Sequence, residues 1–192
     1  MHTLHYKVYP SLLNTFARYL EGTKTKQDLI DQINRVPLPK TPVQNRGASF
    51  ENAVIKGIHE DEFDHRILEQ VRNLLPRPMI NTQVYCEYAL NDVLIYGFVD
   101  VIGKTLAVDI KTTGKYHEHA FASNHQNFYL PALKSKGIQT LRYVITDFKS
   151  VYQEEYDRFS DFSVQESQVQ LFAHFLEDHR NLITDQRIFM AS

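Results

Sequence analysis

The chain has 192 residues, 43% of them hydrophobic and 23% charged, with a formal net charge of −2. That length and balance suit one soluble domain with its own core, and they exclude wholesale disorder. A single cysteine, Cys86, excludes an intramolecular disulfide, a four-cysteine zinc site and a cysteine-ligated iron–sulfur cluster, and it fits a reducing compartment. The first seven residues hold no apolar leader, and no stretch approaches ~20 apolar residues. A cytoplasmic protein with no membrane partner is therefore expected. The slightly acidic balance argues against a basic coat for nonspecific DNA binding, though not against a local basic groove.

In chain order, Ser11 to Leu20 predicts an amphipathic helix capped by Ser11, with Leu12, Leu13, Phe16 and Leu20 at helical spacing. Thr25 to Ile33 predicts a second helix. Val36 to Val43 is a proline-punctuated loop. Lys24, Lys26, Arg35, Lys40 and Arg46 lie in and around it, either to touch phosphates or as a solvated surface. A helix is expected from about Gly47 to Glu60, with Phe50, Val54, Ile55 and Ile58 on one stripe, and another from Asp64 to Leu74, closed by Pro76 and Pro78. Then the period changes. Thr82 to Leu90, Val93 to Ile102 and Thr105 to Thr112 predict consecutive strands, joined by turns at Asn91-Asp92 and Gly103-Lys104. A helix is expected from about His117 to Lys136, strands at Thr140 to Phe148 and Val151 to Tyr156, and a final helix opened by a Ser163–Glu166 capping box. The expected architecture is α/β (α+β). It has a small mixed central sheet with an antiparallel core hairpin, flanked by helices. It spans residues 1–192 as one domain, with a helical elaboration at about 1–45.

The chemistry is concentrated between Gly97 and Thr113. With Gly103-Lys104 as a two-residue turn, Asp100 faces Ala107. Strict alternation then puts Val99, Val101, Leu106, Val108 and Ile110 on one face and Asp100, Asp109 and Lys111 on the other. Asp100 and Asp109 become diagonal neighbours about 7–8 Å apart at the backbone. Two carboxylates so placed can share one Mg²⁺, with Lys111 two residues beyond Asp109 on the same face. Leu94 to Ile102 is almost continuously apolar, as in a central strand buried on both faces. An unpaired carboxylate there is unfavourable by several kcal/mol.

The pattern Gly97-x-x-Asp100 followed by Asp109-x-Lys111-Thr112 resembles the PD-(D/E)XK nuclease superfamily. Within it, the RecB-like and phage-type exonuclease branch, including exodeoxyribonuclease VIII, is the most similar. Gly47-x-x-x-Glu51 fits that branch's helix with a ligand four residues after a glycine, and Tyr9 to Phe16 resembles its first helix. The branch's Gln-x-x-x-Tyr helix is met one residue out of register. Gln126 lies three before Tyr129, and His125 stands where Gln is expected. The resemblance, over about residues 9–133, implies a restriction-endonuclease-like fold. It also implies that Asp100, Asp109, Glu51 and the Ile110 carbonyl hold Mg²⁺ or Mn²⁺. Lys111 then orients the attacking water or stabilises developing charge. DNA is the implied partner, in phage or mobile-element recombination or repair beside a single-strand annealing or recombination protein, with homo-oligomerisation open. Thr112 and Thr113 are candidate phosphate contacts or simply good strand formers. Glu51 is either a metal ligand or a solvent-facing glutamate favoured near a helix N-terminus.

His117, His119, His174 and His179 are expected at the surface, Glu87 as a plain strand residue, and the last helix's apolar residues in the core. No phosphate-binding glycine loop is present, which excludes an ATP motor. The alternative to a cutting enzyme is a catalytically idle module of the same fold that binds DNA or a partner protein.

Overall fold

In the computed structural model, which describes residues 3–190, the chain forms β1 (Tyr6–Val8), α1 (Pro10–Leu20), α2 (Lys26–Ile33), α3 (Pro42–Lys56), α4 (His65–Asn73), β2 (Asn81–Leu90), β3 (Val93–Ile102), β4 (Leu106–Thr112), α5 (Tyr129–Ala132), β5 (Thr140–Thr146), β6 (Val151–Asp157) and α6 (Ser163–Asp178). The strands make one mixed sheet with helices on both faces, the architecture expected.

β3 is the hub of the sheet. β2 runs antiparallel along one of its edges for nearly its full length. The other edge is divided. β1 pairs in parallel with Val93, Leu94 and Ile95, whereas β4 pairs antiparallel with Val101 and Ile102 only. Beyond β4, β5 adds in parallel and β6 antiparallel. The sheet therefore forks between Ile95 and Val101. β1 was not foreseen, because three residues carry no readable period. An isolated bridge from Tyr6 to Phe189 and a bond from Met190 N–H to the His5 carbonyl (2.9 Å) tie it to the far end of the chain.

Local chemistry explains where the helices begin. Thr25 and Asp28 form a capping box for α2, and Thr41 and Gln44 form one for α3. Pro42 occupies the first position of α3, where its missing N–H is not needed, so it starts the helix expected only from Gly47. Gly57, in the left-handed region, ends α3 at Lys56 and leaves Ile58 outside it, half exposed. α1 opens at Pro10 after Tyr9, so Ser11 is not its cap. The Ser163 box does not form, because Asp161 Oδ1 takes the Ser163 N–H at 2.9 Å.

The helix expected over 117–136 is absent. A loop leads instead to a 3-10 turn at His125–Phe128, the four-residue α5, and a second 3-10 turn at Lys134–Lys136. Asn127 Nδ2 donates to the Phe121 and Ala122 carbonyls and folds the loop back on itself. Pro131 sits in the opening turn of a short helix rather than in the middle of a long one. β5 ends at Thr146, whose Oγ1 accepts the Phe148 N–H at 2.9 Å, so the strand stops two residues early.

Two apolar cores sandwich the β3–β5 region. Phe50, Val54, Leu68 and Val71 of α3 and α4 pack on Val101, Val108, Ile110 and Val144. On the opposite face, Tyr129, Leu130 and Leu133 pack on Val84, Val99, Ala107, Leu141 and Tyr143. A third cluster joins α1, α2 and α6, with Phe16 4.9 Å from Phe172.

A candidate metal-dependent active site at the sheet fork

The turn between β3 and β4 is not the one read from sequence. Ile102 pairs with Ala107, and Gly103 N–H reaches the Leu106 carbonyl at 2.8 Å, so Lys104-Thr105 are its central residues. The register moves by two and sets Asp100 opposite Asp109. The pairing does not extend that far. Ile110 N–H is taken by Asp100 Oδ2 at 2.7 Å. In an extended residue the carbonyl points to the same side as the N–H, so the Ile110 carbonyl also faces the fork.

The strict alternation assumed for β3 also fails at Asp100. Val99 belongs to the α5 core, whereas Val101 belongs to the α3–α4 core with Val108 and Ile110. The strand turns over between them. Opposite, Gln83 has φ +50° and the Gln83–Asp100 pair drops out of the ladder, while the pairs on either side keep one register. The Asp100 side chain is thereby aimed between strands rather than along one face.

Gln83, which sequence reasoning missed, links two carboxylates. Its Nε2 donates to Glu51 Oε1 at 2.7 Å and to Asp100 Oδ1 at 3.1 Å. Carboxylates only accept, so the amide nitrogen must be the atom facing both. Those two oxygens are then no more than about 6 Å apart, within the range where charges perturb each other. Nothing in the residue type of Gln83 signalled this. The only clue was its register opposite Asp100, which follows from the Asn91-Asp92 turn but does not say where the Gln83 side chain points.

Glu51 reaches the fork because α3 lies close on β4. A Cβ added to Gly47 would stand 2.8 Å from Thr112 Oγ1, so a larger residue would lift the helix or displace the threonine. Glu51 is half-buried, ten residues into α3, and is not an N-terminal-turn glutamate. Asp109 is 2% exposed, and its Oδ2 forms an ion pair with Lys111.

The electrostatics show that these carboxylates compete. Burial, then Asp109 and Glu51, push the Asp100 carboxyl up to about 8, with Lys111 and the Ile110 N–H pulling the other way. Burial and then Asp109 raise Glu51 as well. Three carboxylates face one lysine at the fork. Among the described residues no three His, Cys, Asp or Glu side chains are gathered into a ready-made metal cage. Gln83 and Lys111 stand between the oxygens instead. The donor set still fits a hard divalent cation. It is all oxygen and it carries excess negative charge.

The remaining candidates fall elsewhere. Thr113 Oγ1 donates to the Lys115 carbonyl at 2.9 Å and is used in its own turn. Tyr129 is buried beneath β3, where a Cβ on Gly97 would lie 2.6 Å from its hydroxyl. Burial raises its pKa, and Asp109 and Asp100 add to the shift, so it adjoins the carboxylates from below and does not face solvent. His125 is fully buried, its Nδ1 2.9 Å from Asn14 Oδ1, and Gln126 is the half-exposed member of that pair. His117, His119 and His174 are exposed. Phe98 is 53% exposed, so β3 is not buried on both faces. No helix among the described residues is long and apolar enough to cross a membrane.

No family profile matches the chain, and no curated protein matches it. Solved structures share its fold, among them these two. One is a protein called SSO0001, at 13% identity and a TM-score of 0.53, with 91% of this chain and 78% of that chain covered. The other is a provisionally named exonuclease from Eubacterium rectale, at 12% identity and a TM-score of 0.51, with 91% and 79% covered.

Proposed function

We propose that the chain is a Mg²⁺- or Mn²⁺-dependent deoxyribonuclease that hydrolyses phosphodiester bonds, an exonuclease of the PD-(D/E)XK kind. The observation that carries this is the convergence of Glu51, Asp100, Asp109, Lys111 and the Ile110 backbone on one forked edge of the sheet. The fold shared with a provisionally named exonuclease agrees with it. Asp100, Asp109, Glu51 and the Ile110 carbonyl would hold the cation, which when bound polarises the phosphate and acidifies a water. Lys111 sets its ammonium beside Asp109, where it can meet charge developing on a phosphate oxygen. Gln83 keeps Glu51 and Asp100 facing one another. Thr112 stands at the contact with α3, where a phosphate contact is a further proposal. DNA recombination or repair, beside a strand-annealing partner, is the setting that the sequence resemblance suggests.

The test is cleavage of linear and plasmid DNA. Wild-type protein should cut with Mg²⁺ or Mn²⁺ and not in EDTA, and Lys111→Ala should lower the rate by about a thousandfold while the protein stays folded at the assay temperature. Metal-independent cutting, or wild-type rates in Lys111→Ala, would refute the assignment. A second reading, a non-cutting DNA- or protein-binding module, is favoured by one observation: Gln83 and Lys111 already engage the carboxylates. It predicts no cleavage at any metal concentration.

A further inference from the structure

The fork opens onto an uncovered part of the sheet. α3 and α4 cover Val101, Val108, Ile110 and Val144, whereas Tyr85 and Phe98, on β2 and β3 further from the turn, are left partly exposed. There the cross-strand pairs Tyr85–Phe98 and Glu87–Tyr96 follow Gln83–Asp100 at two-residue steps, about 7 Å each. Phe98 is 53% and Tyr85 41% exposed, and their rings meet edge-to-face at 5.5 Å. Tyr85 lies 6.5 Å from Tyr96, which lies 6.2 Å from Tyr9. The far end is cationic. Lys7 Nζ sits 4.9 Å over the Tyr96 ring, and Arg35 donates to the Tyr96 hydroxyl at 2.9 Å. Asp185 is shared between Arg35 and Arg187, so one carboxylate answers two guanidiniums. Glu87, which accepts the Tyr85 hydroxyl at 2.8 Å, is the acidic exception.

We propose that this aromatic row is a track for single-stranded DNA, on which unpaired bases stack over Phe98 and Tyr85 while Lys7 and Arg35 hold the backbone leaving the fork. It rests on the nuclease reading for its partner. A row of π-faces suits any base, and cations at its end suit phosphates. Ordinary sheet stabilisation explains a cross-strand aromatic pair, but it does not explain two large rings left half in water, continuous with a carboxylate cluster and ended by cations.

The test is kept apart from cleavage. Binding of a fluorescein-labelled twelve-nucleotide oligodeoxythymidylate is followed by anisotropy in EDTA, with a duplex of equal length alongside. Phe98→Ala and Tyr85→Ala should each weaken single-strand binding about tenfold, and the double variant about a hundredfold. Phe98→Trp should keep the affinity and Phe98→Leu should lose it, because an aliphatic side chain packs without stacking. Both alanine variants binding as wild type would overturn the track. So would a wild-type dimer that Phe98→Ala dissociates, since a second copy would then cover this face. If the wild type binds with this aromatic dependence yet never cuts, the track stands and the nuclease reading fails. If it cuts while the rings prove irrelevant, the reverse holds.

Discussion

Two places in this sheet bury carboxylates, and they differ in what surrounds them. Glu154 on β6 is 7% exposed, and its Oε2 accepts the Tyr156 hydroxyl at 2.6 Å and the Phe121 N–H at 3.1 Å. Its neighbours are neutral donors that gain a partner from its charge. Asp100 and Asp109, at the fork, face each other and Glu51 with one lysine among them. The first arrangement leaves one oxygen, Oε1, without a hydrogen bond, but the carboxylate faces neutral donors rather than other carboxylates. The second is repulsive and becomes favourable when something positive joins it. A buried acid is therefore not in itself a sign of function; the charge balance of its neighbours is.

The widest separation between the two should appear on neutralising each. Asp109→Asn is expected to abolish metal-dependent cleavage, by a thousandfold or about that, with little change in melting temperature. Glu154→Ala is expected to leave cleavage within about twofold and to lower the melting temperature by about 5 °C, since it strands the Tyr156 hydroxyl and the Phe121 N–H. Kinetics and thermal melts of both variants check this. Equal losses of activity in the two would erase the distinction.

A smaller effect concerns pH. In EDTA the folded protein holds a proton on Asp100 that the unfolded chain releases near 3.8, because burial and the neighbouring carboxylates push the folded value up to about 8. The folded state binds more protons across that window, so stability should fall as pH rises from about 4 to about 8. The raised Glu51 acts in the same direction. Asp100→Asn should flatten the decline and raise the metal-free melting temperature at pH 8 by about 5 °C. Wild-type melting that rises steadily to pH 8 in EDTA would contradict it.

The smallest effect tests how α3 is seated. Alanine at position 47 gains about 1 kcal/mol in helix propensity, but its Cβ would press on Thr112 Oγ1. Gly47→Ala should therefore lower the melting temperature by about 2 °C in the wild type and raise it by a similar amount in Thr112→Ala. Melts of the four proteins in that cycle decide it, and additivity would mean the two residues do not touch.

The fork's chemistry was legible in sequence where a residue's type and spacing are enough. Asp100, Asp109 and Lys111 stand out because charge within an apolar strand is unfavourable. Gly47 and Glu51 stand out only through the resemblance, since their helix could have lain anywhere. Gln83 was invisible, because its role depends on a positive φ and on a strand that turns over at Asp100. The sequence reading assumed regular alternation, and the site is where alternation breaks. The segment 117–136 failed for a similar reason. Its apolar residues suit a helix, but Asn127 and Pro131 enforce a folded loop that local periodicity does not record.

The seam between β1 and the residues after α6 has a consequence for the order of folding. Tyr6 to Val8 lie far before the β3 residues they pair with, and Phe189 and Met190, which bridge to Tyr6 and bond to His5, lie far after those residues. A three-residue strand is too short to stay paired unaided. The β2–β3 hairpin and the β4–β5 ladder can form while the chain is still being made. The edge of β3 that β1 covers is settled only when these distant segments meet on it. Closing a loop of that length is entropically slow but only weakly more so than a shorter one. The local pairings that carry Asp100 and Asp109 can therefore form without this long-range seam, so a change at Tyr6 or Phe189 perturbs the seam apart from the carboxylates.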